Sequence, residues 1–522
     1  MNRAFKLPYS VLLLAVATAA LAGCNLLPFG DGPRIAMETP KSQAPEMQLH
    51  LLNRVTWGAN ATSVQQIIVL GAERYLDQQL QPALRTPLAA GVQEQIDGMT
   101  IARPLDVLVR ALEKQRLDAN AIKDIEQQKL AQQAYQQELS RLEREAATRW
   151  LLRALYSPNQ IQEKMTWFWI NHFSIFRYKN NLRAMLGDYE ENAIRPHALG
   201  SFRALLAAVT RHPAMLRYLD NEQNAVKRIN ENHARELMEL HTLGVAGGFT
   251  QHDVQELARI LTGAGLNFTP DTPKVQPNLQ SHYVRQGLFE FNPHRHDYGD
   301  KTFLGQIIRG RGLAELDEAL DRLARHPSTA RLVSRKLALY FVSDDPPAQL
   351  IEGMARTFLA SDGNIAATLR TMFQSQAFAT SPGRKFKDPV HYVVSAVRLA
   401  YDEKRILNAL PMISWLNYMG QPLFGRETPD GYPLTQSSWA SPGQMTTRFE
   451  VARAIGSGSA GLFKTDGPQP VERAAFPQFS NALYFQTIQK TLGPATLKAL
   501  DEARSPQEWN TYFLSSPEFM HR

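Results

Sequence analysis

The chain has 522 residues, of which 44% are hydrophobic and 20% charged, with a formal net charge of +7 and one cysteine, Cys24. A single thiol excludes an internal disulfide and a multi-cysteine metal centre, and so mild a charge for this length is no nucleic-acid footprint. The length allows two to four domains at roughly 150 residues each and a core that needs no covalent staple.

Residues 1–23 read as an export leader. Arg3 and Lys6 make a positive start, and the apolar run Val11 to Leu21 is shorter than the roughly 20 residues of a membrane span. The run ends in Leu21-Ala22-Gly23-Cys24. This string resembles the lipobox of bacterial lipoproteins, which implies cleavage before Cys24 and lipidation of its thiol. Cleavage removes Arg3 and Lys6 and takes the formal charge from +7 to +5; lipidation leaves no thiol for nucleophilic or metal chemistry. Asn25 stands where an aspartate would imply inner-membrane retention, so the expected location is the outer membrane, facing the periplasm. The lipid bilayer is thus an expected partner, reached through Cys24. Residues 24–46, rich in Pro, Gly and polar groups, read as a flexible tether.

The first folded region, 47–160, begins near Leu49. Thr62-Ser63 is an expected cap for a helix carrying Val64, Ile67, Ile68 and Leu70, and a second helix starts after Gly71. Residues 104–156 carry the strongest helical signal. No Pro or Gly occurs from Ala119 to Tyr156, and Ile122, Ile125, Leu130, Ala134, Leu139 and Leu142 recur at helical spacing. We read this stretch as a long surface helix, half of a helical hairpin, in preference to a coiled-coil partner site, because heptads are not sustained. The second region, 161–312, reads as helices broken at Pro196, Pro213 and Gly244, followed after residue 267 by His/Gly-rich loops with at most a short hairpin. A helical region spans 313–410. The last, 411–522, begins with a Gly/Pro/Trp-rich covering loop to about residue 450 and ends in helices. The expected class is mainly α, multi-helical, with few strands.

Nine of the 13 histidines lie between His172 and His296, and three segments there can carry chemistry. In Trp167-Phe168-Trp169-Ile170-Asn171-His172-Phe173, packed rings either bury His172 structurally or hold it as a ligand or base. In the string Asn230 to Gly244, a helix puts Glu231, Arg235 and Glu239 on one face, which predicts an ion-pair ladder. The competing reading is a metal or acid–base site of Glu236, Glu239 and His241. Spacing opposes a purely helical site, because His241 is five residues from Glu236 and two from Glu239; the helix would have to break near Leu240. His241 in a last turn would be favoured as an imidazolium by the helix dipole, with Gly244 as C-terminal cap. The third segment, His294 to Gly305, contains His296-Asp297, a weak metal-hydrolase signal, with Lys301 placed to orient Asp297 or bind an anion. Neither a Walker-type phosphate loop nor a Gly-x-Ser-x-Gly elbow is present.

Together these segments resemble the bacterial domain-of-unknown-function-1800 family. The likeness runs from Leu51-Leu52-Asn53-Arg54-Val55-Thr56-Trp57-Gly58 through Asn171-His172 and Ala234 to Gly244. It continues through Thr262-Gly263, His296-Asp297-Tyr298-Gly299, Lys336-Leu337, Asp430-Gly431-Tyr432 and Ser515-Ser516-Pro517-Glu518-Phe519. His233 departs from a Tyr-like aromatic and Ala264 from an aromatic. The resemblance implies a large exported, mainly helical protein and supplies no reaction. It also implies, by the company such proteins keep, a possible exported partner resembling phosphatases or sulfatases.

Two functions follow. One is an exported lipoprotein that binds or assembles partners in the periplasm. The other is a metal-assisted hydrolase in which His172, His241, His296 and Asp297 hold a divalent ion such as zinc and Glu236 or Glu239 acts as general base. The missing catalytic motif favours the first. Convergence of four of those six side chains would favour the second.

Overall fold

A computed structural model describes residues 45–81, 86–464 and 476–522. The leader, Cys24 and the tether to residue 44 lie outside them. The first helix is Pro45–Val55, so Pro45 and Glu46 belong to the fold and not to the tether. Its end is tied into the interior: Arg54 donates to the carbonyls of Val342 (2.9 Å) and Ser381 (2.7 Å), and Lys164 donates to those of Arg54 (2.7 Å) and Thr56 (2.9 Å). Trp57 follows, edge-on to Trp150, which in turn meets Trp167. Gly58, at φ +135°, lies where any Cβ would fall 2.6 Å from that of Ser395, so this turn excludes a side chain.

The next helix, Ala61–Leu70, is capped by Asn60 with Ser63 as its reciprocal partner. The expected cap at Thr62-Ser63 lies two to three residues late, because the cap is Asn60 and Ser63 occupies N3 of its capping box. The long helical stretch is a hairpin of Leu105–Ala121 and Ile125–Tyr156, turned at residues 122–124 and capped by Asp124. Its two ends differ. Ile125 and Leu130 are 76% and 65% exposed, whereas Leu139, Leu142 and Trp150 are buried. The hairpin tip stands in solvent and its base enters the core.

The central region supplies Gln160–His172, Phe202–Arg211, Asn232–Glu239 and Gln251–Ile260. Two small antiparallel sheets follow: Ala264–Leu266 and Val284–Gln286 flank Phe289–Phe291, and Lys301–Phe303 pairs with Gln306–Ile308. Helices Leu313–Ala324, Pro327–Phe341 and Pro389–Tyr401 form much of the remaining wall. The expected covering loop is shorter than 411–450, because helices Leu410–Tyr418 and Pro442–Gly456 enclose it. Buried residues of all four regions join one hydrophobic cluster. The fold is mainly α, as expected.

Candidate functional site

Helix Gln160–His172 ends with its histidine fully inside. Phe168 lies parallel to the His172 ring, and Trp169 and Phe173 meet it edge-on at 5.4 and 4.5 Å between centroids. These rings leave the imidazole one orientation. Lys336, from helix Pro327–Phe341, donates to Nδ1 at 3.0 Å, so the ring proton sits on Nε2 and is donated to the carbonyl of His241 at 3.0 Å. Burial, then Lys336 and His241, holds the His172 imidazolium well below the usual range. The ring is therefore a neutral acceptor that positions a lysine.

Lys336 also points at the Leu240 carbonyl at 3.4 Å. Burial brings its pKa down to about 8, opposed by Asp430. The helix Asn232–Glu239 breaks at Leu240, and Leu243 and Gly244 (φ +83°) donate back to the Met238 carbonyl. This turn lifts the Leu240 and His241 carbonyls toward the Lys336–His172 pair. His241 itself is buried against Phe173, with Nε2 unpartnered, and burial holds it well below the usual imidazole range. It is thus not the helix-end imidazolium that dipole arguments suggested; desolvation outweighs the dipole.

The fourth contributor is the loop 419–441. The Asn171 side chain binds it as a strand would, Oδ1 accepting from Tyr432 N at 2.6 Å and Nδ2 donating to Tyr432 O at 3.0 Å. Gly431, at φ +77°, passes so close that a Cβ would lie 2.1 Å from the Asn171 carbonyl oxygen. Asp430 is clasped by Arg426 through two bonds of 3.1 and 2.9 Å. Burial works against its ionisation, but the bonds from Arg426 and Thr428 win and keep it below the ordinary carboxylate range. Glu236 is pushed up by burial and by the charges of Glu239 and Asp430, against Arg235. Burial, then Glu236 and Asp430, pushes the Tyr218 phenol up, and its hydroxyl donates to the Glu427 carbonyl. Lys336 and Glu236 thus share Asp430 in one partly buried group of opposed charges, with the neutral Tyr218 phenol beside Glu236 and Asp430.

Arg235 bonds Glu231 at 3.0 Å and Glu239 at 3.5 Å along the helix face, with Gln251 as a further partner. Glu239 therefore sits in an ion-pair ladder.

His296 and Asp297 lie in a different construction. His296 Nδ1 faces the Thr262 carbonyl at 2.8 Å and Nε2 faces Glu315 at 2.9 Å. Lys301, which is fully buried, bonds the other Glu315 oxygen and the Asp297 carbonyl. The Asp297 carboxylate is held by Arg259 at 2.8 and 3.1 Å, so Lys301 orients its backbone and not its side chain. Burial opposes the Glu315 charge, but the bonds from His296 and Lys301 keep its pKa lowered. Glu315 thus joins His296 and Lys301 to helix Leu313–Ala324, while Asp297 is tied to Arg259 of helix Gln251–Ile260.

The six candidates accordingly do not meet. His172, Glu236 and His241 share one neighbourhood with no common point of ligation, and His296 and Asp297 belong to another. Among the described residues no group of three or more His, Cys, Asp or Glu side chains is placed to hold a metal ion. Sequence reasoning weighted histidines and passed over Lys336, Asp430 and Glu315. The first two stood within the strings of the family resemblance, which was the signal that could have found them.

Fold and site define a multi-helical protein in which four distant segments are built around one fixed lysine. The chain belongs to DUF1800, a family of proteins of unknown function, with the match spanning residues 50–521. No curated protein and no solved structure matches it.

Proposed function

We propose that the protein is an exported, lipid-anchored binding or assembly protein of the periplasm, and that its recognition site is the face around Lys336. One observation carries this reading. The segments carrying His172, Leu240 and Asp430, far apart in sequence, converge on the single ammonium of Lys336, whose direction is set by a neutral imidazole. A cation fixed in this way, with Asp430 beside it and Glu236 on the far side of Asp430, offers a partner a preorganised pattern of opposite charges. Partners with exposed ion pairs suit such a face, an exported protein resembling phosphatases or sulfatases among them. The hydrolase alternative would have to bring its metal ligands together by rearrangement, because His296 and Asp297 are committed to Glu315 and Arg259.

The test is chemical crosslinking in intact envelopes, comparing the wild type with Lys336→Met and Glu236→Gln. A single exported partner recovered with the wild type and lost at least tenfold with both variants supports the reading. Equal recovery from all three refutes it. Stoichiometric metal in the purified protein, with ester hydrolysis abolished by Glu236→Gln, would establish the hydrolase instead.

A further inference from the structure

Lys336 differs from two fully enclosed lysines in what surrounds its nitrogen. Lys164 and Lys301 are fully buried. Lys164 donates to the carbonyls of Arg54 and Thr56, and Lys301 to the Glu315 carboxylate and the Asp297 carbonyl. Lys336 is half-buried and makes no ion pair among the described residues. Asp430 favours its charge, but the Asp430 carboxylate is itself engaged by Arg426 and Thr428.

Two acceptors face the Lys336 nitrogen, His172 Nδ1 at 3.0 Å and the Leu240 carbonyl at 3.4 Å. A neutral amine has two hydrogens, so this pair of acceptors leaves its lone pair unengaged. The rings of Phe168, Trp169 and Phe173 hold the imidazole still, and through it the amine is aimed without a carboxylate that would keep it protonated. Burial acts in the same direction. With its pKa at about 8, about a tenth of the population is neutral at pH 7 and the rest is the ammonium of the recognition face. An ordinary lysine, titrating at about 10.4, leaves roughly one in 2,500 neutral. Desolvated amines of this kind are the nucleophiles of imine chemistry.

We propose that Lys336 is a covalent site for a small uncharged aldehyde, which it captures as an imine. The nitrogen lone pair attacks the carbonyl carbon and a C–N bond forms. Both amine hydrogens then leave with the carbonyl oxygen as one water as the C=N bond closes, so no oxidant or reductant is needed. Asp430 beside the amine disfavours an anionic aldehyde by like-charge repulsion. The capture uses the same fixed amine as the recognition face but needs no protein partner, so its outcome is independent of the envelope crosslinking.

The experiment is a brief exposure of the purified protein at pH 7 to propanal with sodium cyanoborohydride, which reduces each imine to a stable propyl-lysine. Peptide mass mapping then gives the labelling rate at each lysine. Lys114 and Lys498, both well exposed, are the internal references. Lys336 should be labelled at least tenfold faster than either. Accessibility cannot produce that ratio, because Lys336 is the more buried residue. In concentrated urea the ratio should fall to within about twofold of one, since the unfolded chain no longer places the amine between His172 and Leu240. A ratio below ten in the folded protein, or one that stays above ten in urea, overturns the proposal.

Discussion

His233 is buried with both ring nitrogens unpartnered, and burial lowers its pKa to about 4. An unfolded histidine titrates near 6.5, so between pH 6.5 and pH 4 the unfolded chain binds the extra proton and stability falls as the pH falls. By pH 5 this one group removes about 2 kcal/mol. His233→Phe deletes the term: its urea midpoint should change less than that of the wild type between pH 7 and pH 5. Equal changes would show that the imidazole finds a partner or water. His50, lowered to about 4 by burial, then Arg54, contributes in the same direction and is present in both proteins. At this scale the sequence could mark His172 and His241 as candidates but not their protonation. That depends on how completely Phe173 and its neighbours exclude water, which is a property of packing between segments.

The helical hairpin shows how far periodicity carries. The run to Tyr156 was legible, since no Pro or Gly interrupts residues 119–156. The turn at residues 122–124 falls inside that run, so both arms of the hairpin lie within the stretch read as one long helix. Which part of the stripe is buried was not legible, because spacing gives the face and not the neighbour. Leu142 is fully buried and Leu130 is not. Leu142→Ala should cost about 2–5 kcal/mol, whereas Leu130→Lys should stay within about 0.5 kcal/mol, both read from urea unfolding. The loop 419–441 makes the opposite case, an element without periodicity that is nonetheless ordered by specific bonds. Gly431→Ala forces a Cβ onto the Asn171 carbonyl at a positive φ. It should cost about 2 kcal/mol or more and raise the rate of proteolytic cleavage within residues 419–441. An unchanged rate would mean that Asn171 does not pin the loop.

For the whole molecule, the anchor and the body pose separate questions. If Cys24 carries lipid, Cys24→Ser should move the protein from the membrane fraction to the soluble periplasmic fraction without altering its thermal transition, since residues 45–522 supply the core cluster. Retention of Cys24→Ser in the membrane would refute the anchor. Within the body, the charged side chains that hold regions together are buried networks: Arg195 with Glu163 and Glu190, and Lys301 with Glu315 and His296. Such groups are costly to strand, at about 3–5 kcal/mol when one partner is lost, so each ties distant segments to one arrangement.

From the order of residues alone came the mainly helical class, the long helix to Tyr156, the Arg235 ladder and the family, because each rests on local spacing or on strings read in a row. The tertiary structure alone decided that His296 and Asp297 stand apart from His172, and that Lys336 and Asp430 belong beside it. Those pairings join residues more than 90 positions apart, and proximity at that range is set by how helices pack around a shared core, which no local pattern encodes.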